Sequence, residues 1–454
     1  MQTLCCYRLL DPGSEWRLHR TWFDQSAMAD LLGEDFSIAA KDTLYRCHDR
    51  IIPHKQALFS FLRGRWEDLF GVKFDVLLYD LTSTYFESNP PFGDDDKRRH
   101  GYSRDKRSDC VQVVIALVVT PEGFPLAYEV MPGNTADKTT LRGFLRKIEA
   151  QYGKAERIWV MDRGIPTEEV LEEMRSADPP VYYLVGTPKG RLSKLEKELL
   201  ELDWQNAREG VDVKLLAQED ELYVLARSND RVCKERAMRR RQLKKLWSRL
   251  AALKHMCPGR DQLLLKLGAA RQQYPQGWRL VEIEVADDGS LSYQLKKDKL
   301  RQVIQREGRY LLRSNLTKHD PAQLWRLYML LVEVEQAFRN LKGDLAVRPI
   351  HHQKQERIEA HIFIAFLAYC IHVSLRYKLS RKAPGLTPRS LLEQLSAIQM
   401  IDVHFPTTDG RILIFNRYTS PTKTQKILLA QLGLELPPQA PPRITSKLKL
   451  EAMN

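Results

Sequence analysis

The sequence predicts an α/β fold in which acidic residues lie at one edge of a sheet. Two β-rich apolar runs, Phe74–Asp80 and Arg157–Asp162, each end in an aspartate, and a later helical segment places Glu335 on an otherwise apolar face. A lone aspartate at a strand end is usually a turn former or a helix cap. Two such acids and a helical glutamate are a rarer combination, and reactive groups in open α/β sheets collect at the strand ends.

The elements between the two acidic runs refine this fold class. Two further strands are predicted over Cys110–Thr120 and Pro125–Met131, followed by a helix over Thr139–Tyr152. Three strands, a helix, a strand and a later carboxylate-bearing helix is the order of a ribonuclease H-like core. We therefore predict such a core, interrupted by a β-containing insertion domain and preceded by a mainly helical N-terminal region.

The segment Tyr328–Lys342 is predicted to be one continuous helix. At ~100° per residue, one face contains Leu324, Tyr328, Leu331, Glu335, Phe338 and Lys342. We expect this face to point inward, where a carboxylate requires compensation. We expect Glu333 and Asp344 to lie on the solvated side. The alternative for Glu335 is a simple surface pair with Arg339, four residues later.

Asp80, Asp162 and Glu335 are the predicted catalytic and metal-binding residues. They offer only hard oxygen ligands, which suit Mg²⁺ or Mn²⁺ rather than zinc. Two ions held by such acids can activate an attacking oxygen and stabilise the leaving oxygen at a phosphodiester. His351, His352 and His361 show no zinc-binding spacing with any cysteine.

These segments resemble the DDE transposases of bacterial insertion sequences, in the branch with a Tyr-x2-Arg-x3-Glu-x6-Lys motif on the catalytic helix. Tyr328, Glu335 and Lys342 match this spacing, while Leu331 occupies the arginine position. The resemblance runs from about residue 25 to about residue 437. The segments that resemble the family's sequence around its three acids are Tyr79–Glu87, Met161–Gly164, Glu333–Leu345 and Arg348–His352.

The resemblance implies metal-dependent cleavage of double-stranded DNA at terminal inverted repeats and strand transfer into target DNA, with two Mg²⁺ or Mn²⁺ ions per site and a dimer in the synaptic complex. It also implies that Tyr328 and Lys342 hold DNA phosphates, and we add Arg339 to this set. Leu331 removes a phosphate contact that other members make. Two alternatives stay open: a metal-dependent nuclease without strand transfer, and a DNA-binding descendant that no longer catalyses.

Composition agrees with a DNA-handling protein. The 454 residues carry a net charge of +13, which favours a polyanionic partner. Seven cysteines without a CxxC pair indicate reduced thiols, and no signal peptide is visible, so we expect a cytoplasmic bacterial protein that joins the nucleoid when on DNA. The apolar run Ile362–Leu375 is too short to span a bilayer and predicts a buried helix; no membrane partner is expected.

Five segments are predicted along the chain. Residues 1–70 are helical, with a possible DNA-binding helix-turn-helix or, alternatively, a plain helical cap. Residues 71–180 and 319–400 form the two parts of the catalytic core, the second with the Glu335 helix. Residues 181–318 form the insertion, with strands expected near 181–185, 222–226, 278–285 and 310–314. Residues 401–454 form a C-terminal segment with a disordered tail.

A basic helix is predicted inside the insertion, over Lys234–Lys254. It has nine lysines and arginines against one acid, and a leucine stripe at helical spacing. A solvated helix and a membrane-surface helix share this pattern, but contact with DNA phosphates is the interpretation we adopt. The residues assigned to it are Arg239, Arg240, Arg241, Lys244 and Lys245. A second basic stretch, Arg98–Arg107, is either a polar loop or a segment that contacts the DNA backbone.

Overall fold

A mixed nine-stranded sheet forms the centre of the protein. The computed structural model describes residues 1–33, 36–87, 93, 95–187, 195, 198–199, 202–218, 220–256, 259–439 and 441–444. The strands of this sheet are β1 (Val76–Phe86), β2 (Val111–Val119), β3 (Pro125–Pro132), β4 (Ile158–Met161), β5 (Tyr182–Gly186), β6 (Gln205–Arg208), β7 (Val211–Gln218), β8 (Glu221–Ser228) and β11 (Arg309–Ser314). They lie in the order β3-β2-β1-β4-β5-β11-β8-β7-β6.

The first five strands have the arrangement of a ribonuclease H-like core. β1, β2 and β3 form an antiparallel meander, and β4 and β5 run parallel to β1. Every residue of β2 is buried, as expected for a strand covered on both faces. Helices Leu141–Tyr152 and Glu168–Ser176 make the connections around β4. The predicted fold class is confirmed, and the predicted β2, β3 and first core helix agree with the observed elements to within two residues.

The end of β1 was predicted wrongly. The strand does not stop at Asp80 but continues to Phe86, because Leu81 to Phe86 stay paired with β2, from Ala116 to Val111. Asp80 is therefore in the middle of a long strand. It still lies where the shorter parallel neighbour β4 ends, since Met161 pairs with Tyr79.

The predicted continuous helix through Tyr328 and Glu335 is also wrong. The structure has two helices, Pro321–Met329 and Leu331–Lys342, with Leu330 between them. The amide of Leu330 donates to the carbonyl of Leu327 (3.1 Å), and the amide of Glu333 donates to that of Leu330 (2.8 Å). These tight three-residue bonds separate the two helices at Leu330.

The N-terminal region is helical, as predicted, and packs on the core. Its α-helices are Gln2–Leu10, Glu15–Arg17, Met28–Leu32, Lys41–Ile51 and Lys55–Phe70, with shorter helical turns at Leu18–Trp22, Phe36–Ala39 and Ile52–His54. A further turn, Asp137–Thr139, precedes the first core helix. The N-terminal helices Gln2–Leu10 and Lys41–Ile51 both contact the core helix Gln355–Lys382.

That core helix is the one described helix that is long and apolar enough to cross a membrane by length and composition. Most of its apolar window is buried inside the protein, in agreement with the predicted buried helix. Phe366 on this helix stacks on Tyr128 of β3, with ring centroids 4.0 Å apart. The helix therefore acts as a packing element of the core.

The segment between the second aspartate and Glu335 has two parts. Tyr182–Gly186, which we placed at the start of the insertion, is β5 of the core, and β6, β7, β8 and β11 extend the same sheet. The remainder forms a lobe with its own hydrophobic cluster around Leu246, Leu250 and Leu267. Its elements are helices Asn229–Met256, Arg260–Gln273, Pro275–Trp278 and Lys297–Arg306 and strands β9 (Val281–Val285) and β10 (Leu291–Leu295).

The C-terminal segment is more ordered than predicted. Helices Pro388–Leu395 and Lys423–Leu432 accompany a small sheet of β12 (Met400–Pro406), β13 (Ile412–Tyr418) and β14 (Arg443–Ile444). β14 lies inside the predicted disordered tail, where Arg443 forms an ion pair with Asp30 of the N-terminal region. Residues 445–454 of that tail lie outside the described residues.

Candidate active site

Asp80 and Asp162 lie at the same level on neighbouring parallel strands. Each acid directly follows one member of the register pair Tyr79 and Met161. Asp80 is half-buried and accepts a hydrogen bond from the amide of Leu81 (2.8 Å), whereas Asp162 is exposed and accepts one from the amide of the next residue (2.7 Å). The backbone of the sheet therefore fixes the two aspartates next to each other.

Glu335 approaches these aspartates from the helix Leu331–Lys342, which packs against β1 and β2. The prediction that Glu335 points inward is wrong, because its side chain is exposed. The buried positions of this helix are Val334, Ala337, Phe338, Asn340 and Leu341. Glu335 lies beside this buried face, about 100° from Val334 at the helical repeat.

The negative charges of Asp162 and Glu335 both act on the carboxylate of Asp80. Burial raises the pKa of Asp80 from 3.8 to about 7, and the negative charges of Asp162 and Glu335 act in the same direction. The amide of Leu81 and the guanidinium of Arg104 oppose this rise. A divalent cation among these oxygens would relieve the repulsion, so the residues present fit such an ion.

The three acids form an open arrangement. One group of three His, Cys, Asp or Glu residues in the described part of the chain has ligand atoms that all lie within 4.8 Å of one another. It is Glu15, His352 and His361, at another location, so the three acids are farther apart than this. Carboxylates that share two ions must span more than the ligand sphere of one ion. Exposure of Asp162 and Glu335 also leaves the site accessible to a large substrate.

Glu333 and Asp344 are paired rather than simply solvated. Glu333 is half-buried and forms an ion pair with Arg376 (2.9 Å), and Asp344 lies 3.6 Å from Arg389. No pair between Glu335 and Arg339 is found among the described residues, which argues against the surface-pair alternative. The carboxylate of Glu335 is thus free of Arg339 and can share a cation with the two aspartates.

Tyr328 lies next to the second aspartate. Its hydroxyl is 3.5 Å from Oδ1 of Asp162. Gly186, at the end of β5, leaves the space that this arrangement needs: a Cβ atom there would lie 2.8 Å from the Tyr328 hydroxyl and 3.2 Å from Oδ1 of Asp162. Sequence reasoning missed this glycine, because only the fold shows that β5 ends beside the site.

Lys342 is engaged by a carboxylate that the sequence did not indicate. Its Nζ lies 2.9 Å from Oδ1 of Asp105, and Arg348 pairs with the same carboxylate. Arg339 is exposed and donates to Gln336 (2.9 Å). The phosphate role of Lys342 stays a prediction, and a phosphate would have to replace Asp105.

The basic stretch 98–107 runs beside β1, but most of its arginines are paired. The amide of Arg104 donates to Oγ of Ser83 in β1 (3.3 Å), and its guanidinium binds Asp137 (2.7 Å). Arg98 is buried and binds Asp96 (2.7 Å). The stretch therefore supports the site as ordered structure, with Arg104 as the cation that acts on Asp80.

The predicted basic helix is observed as Asn229–Met256. Its leucine stripe is buried in the insertion lobe, so it is not available to a membrane surface. Arg239 does not face solvent freely, because its Nε binds the buried carboxylate of Glu307 (2.6 Å). In the described chain, no ion pair is found for the remaining predicted DNA-binding residues, which are exposed: Arg240, Arg241, Lys244 and Lys245.

Comparison with known proteins identifies the family. Residues 73–371 match a family model described as a transposase DDE domain, which covers all three acids. The chain belongs to the DDE transposase family. The resemblance stated from the sequence is confirmed at this level, whereas the bacterial insertion-sequence origin and the Tyr-x2-Arg-x3-Glu-x6-Lys branch stay predictions.

Two further comparisons complete this result. No curated protein matches the transposase in sequence. Among solved structures, it is similar to a piggyBac transposase in a cryo-EM synaptic complex with hairpin DNA, with 10% identity and a TM-score of 0.40. That similarity covers 87% of this chain and 70% of the other.

Proposed function

We propose that this transposase cuts DNA at the ends of an insertion sequence and joins the freed 3′-hydroxyl to target DNA. Asp80, Asp162 and Glu335 hold the required Mg²⁺ or Mn²⁺ ions. The observation that carries the proposal is the register of β1 and β4, which puts Asp80 and Asp162 at one level of the sheet, with the Glu335 helix packed against β1. Three carboxylates brought together at an exposed edge are costly without a cation.

The donor set decides which ion is expected. All three side chains offer oxygen, which suits hard divalent cations with two ions shared between the acids. When bound, such ions activate the attacking oxygen and stabilise the leaving oxygen of a phosphodiester. The protein contributes the fixed backbone position of Asp80 and Asp162 and the helix that brings Glu335 to them.

The remaining predicted residues would bind DNA phosphates. Tyr328 presents a hydroxyl beside Asp162, where it can donate to a phosphate oxygen. The exposed cations of the basic helix lie on a separate lobe and would contact the backbone without reading bases. Synapsis of two ends would require a dimer on DNA, and the reaction would take place in the cytoplasm on the nucleoid.

Incubation of the full-length protein with labelled genomic DNA from both flanks of its coding sequence tests the proposal. A supercoiled plasmid serves as target, with and without Mg²⁺. We expect Mg²⁺-dependent 3′-hydroxyl ends and labelled strands joined to the plasmid. Cleavage without joining would support a nuclease instead. Binding without any cleavage would indicate a DNA-binding protein that no longer catalyses, and either result would overturn the proposal.

A further inference from the structure

A second cluster of ligand-type side chains lies between the N-terminal region and the catalytic core. Glu15 begins a short helix, and His48 lies on the helix Lys41–Ile51. His352 follows the Glu335 helix, and His361 lies on the core helix Gln355–Lys382. All four residues are less than a tenth exposed, at 7%, 1%, 8% and 4% respectively.

The three imidazoles surround one carboxylate oxygen. Oε1 of Glu15 lies 3.4 Å from Nε2 of His352, 3.4 Å from Nδ1 of His361 and 3.6 Å from Nε2 of His48. These distances exceed the usual range of an N–H···O hydrogen bond, about 2.7–3.2 Å. Oε1 of Glu15 and Nε2 of both His48 and His352 are buried without a hydrogen-bond partner.

The spacing agrees with the edges of a metal-centred tetrahedron. Zinc–nitrogen and zinc–oxygen bonds of about 2.0–2.2 Å place neighbouring ligand atoms about 3.3–3.6 Å apart. We propose that Glu15, His352 and His361 form a structural zinc site, with His48 packed beside it. This site is separate from the oxygen-only active site and clamps the N-terminal region to the core.

The hydrogen bonding of His361 prepares the ring for this role. Its Nε2 lies 3.3 Å from the carbonyl oxygen of Val347, which can only accept, so Nε2 carries the hydrogen. Nδ1 then presents a lone pair toward Glu15. Histidine ligands of metals commonly donate their second ring N–H to a carbonyl in this way, which fixes the tautomer and the ring orientation.

Arg8 is the competing partner of the cluster. Its Nη1 donates to the carbonyl of Ala346 (3.1 Å), while its Nη2 lies 3.6 Å from Oε1 of Glu15 and 3.4 Å from Nδ1 of His361. Without a metal, Arg8 would be the counter-ion of Glu15. That arrangement leaves Nε2 of His352 unpartnered in the interior, and zinc would satisfy it.

Metal analysis of the full-length protein tests the site. The protein is produced in zinc-supplemented medium, dialysed without chelator and measured by plasma mass spectrometry. We expect a single zinc ion per chain in the wild type. His352→Gln and His361→Gln should weaken zinc binding by more than about tenfold, since even loss of an outer partner of a ligand has that effect. His351→Gln is the matched control, because His351 is next to His352 in the sequence but its side chain is exposed.

Two additional measurements keep the test decisive if a variant does not fold. Asp80→Asn combined with Asp162→Asn should retain zinc, which separates this site from the active site. Cobalt-substituted wild type should show the visible absorption of a tetrahedral ion with nitrogen and oxygen ligands. Wild-type protein without stoichiometric zinc and without this cobalt spectrum would overturn the proposal and assign the cluster to an ion network with Arg8. Retention of zinc by His352→Gln would also overturn it.

Discussion

Tyr79 and Met161 are direct register partners on the parallel strands β1 and β4, so the acids that follow them, Asp80 and Asp162, share one level of the sheet. This relationship depends on backbone pairing rather than on side-chain rotamers. It places two negative charges together before any ligand is bound. The raised pKa of Asp80 is the measurable consequence, and it gives the site a pH dependence.

Asp80→Asn should stabilise the protein near pH 8 in buffer without added divalent cations. Burial, with the charges of Asp162 and Glu335, raises the pKa of Asp80 from 3.8 to about 7 in the folded state. The folded protein therefore binds more protons than the unfolded chain between these values, and the free energy of unfolding falls as the pH rises through this window. Urea denaturation at pH 5 and pH 8 measures the difference between variant and wild type.

The difference should shrink as the pH falls below 3.8, where the carboxyl group becomes protonated in both states. It should also shrink at pH 8 when Mg²⁺ is added, because the cation compensates the charge on Asp80. An Asp80→Asn variant that is no more stable than wild type at pH 8 would contradict the proposed electrostatics.

Gly186→Ala should reduce DNA cleavage by roughly tenfold or more, about 1.4 kcal/mol of barrier, while the protein still folds. The added Cβ would lie 2.8 Å from the Tyr328 hydroxyl and 3.2 Å from Oδ1 of Asp162, so one or both must move. Single-turnover cleavage rates and melting curves measure the two effects. Gly143→Ala is the control, because nothing lies within 4 Å of its added Cβ. Normal cleavage by Gly186→Ala would show that this contact does not matter.

Replacement of Arg240, Arg241, Lys244 and Lys245 by Gln should weaken DNA binding with little change in sequence preference. Each lost phosphate contact should reduce the slope of log affinity against log salt by roughly 0.9 on duplex DNA. Titrations at several salt concentrations measure this slope. An unchanged slope would assign the helix to solvent or to a protein partner.

Arg239→Gln separates structure from DNA binding on the same helix. Arg239 binds the buried carboxylate of Glu307, so its loss should cost stability, about 1–3 kcal/mol. The slope of log affinity against log salt should change less than when any one exposed cation of the same helix is replaced. Chemical denaturation and DNA titration of this one variant test both statements, and a large change of slope without loss of stability would contradict them.

Leu331→Arg should be tolerated, with a loss of about 1 kcal/mol or less. Leu331 is half-buried and begins the Glu335 helix after the break at Leu330, so an arginine stem can keep its contacts while the guanidinium reaches solvent. The variant should bind cleaved DNA ends more tightly. Thermal melting with and without end DNA measures both effects, and a large fall in melting temperature that DNA does not restore would contradict the prediction.

Local patterns predicted most strands and helices, because apolar periodicity reports burial directly. They predicted the boundaries of β2, whereas the assignment of the three acids to catalysis stays a prediction. They failed where tertiary contacts decide, as at β1, which continues past Asp80 because β2 pairs with it. The break at Leu330 and the exposure of Glu335 likewise depend on how two helices pack on the sheet.

The Glu15 cluster shows the same limit more strongly. His352 and His361 have no metal-binding spacing with a cysteine, and their partners come from the distant N-terminal region. Spacing can reveal ligands that share one element, but it cannot reveal ligands that only the folded chain brings together. Gly186 and Asp105 were missed for this reason as well.

The most direct test of the central claim compares Glu335→Gln with Glu333→Gln in Mg²⁺-dependent cleavage of labelled element ends, alongside Asp80→Asn and Asp162→Asn. We predict that loss of any of the three acids lowers the single-turnover rate by about a thousandfold, ~4 kcal/mol of barrier, and reduces Mn²⁺ binding. Glu333→Gln should stay within about twofold, because it removes only a half-exposed pair with Arg376 worth at most about 1 kcal/mol. Full activity of Glu335→Gln, or its loss in Glu333→Gln alone, would contradict the account.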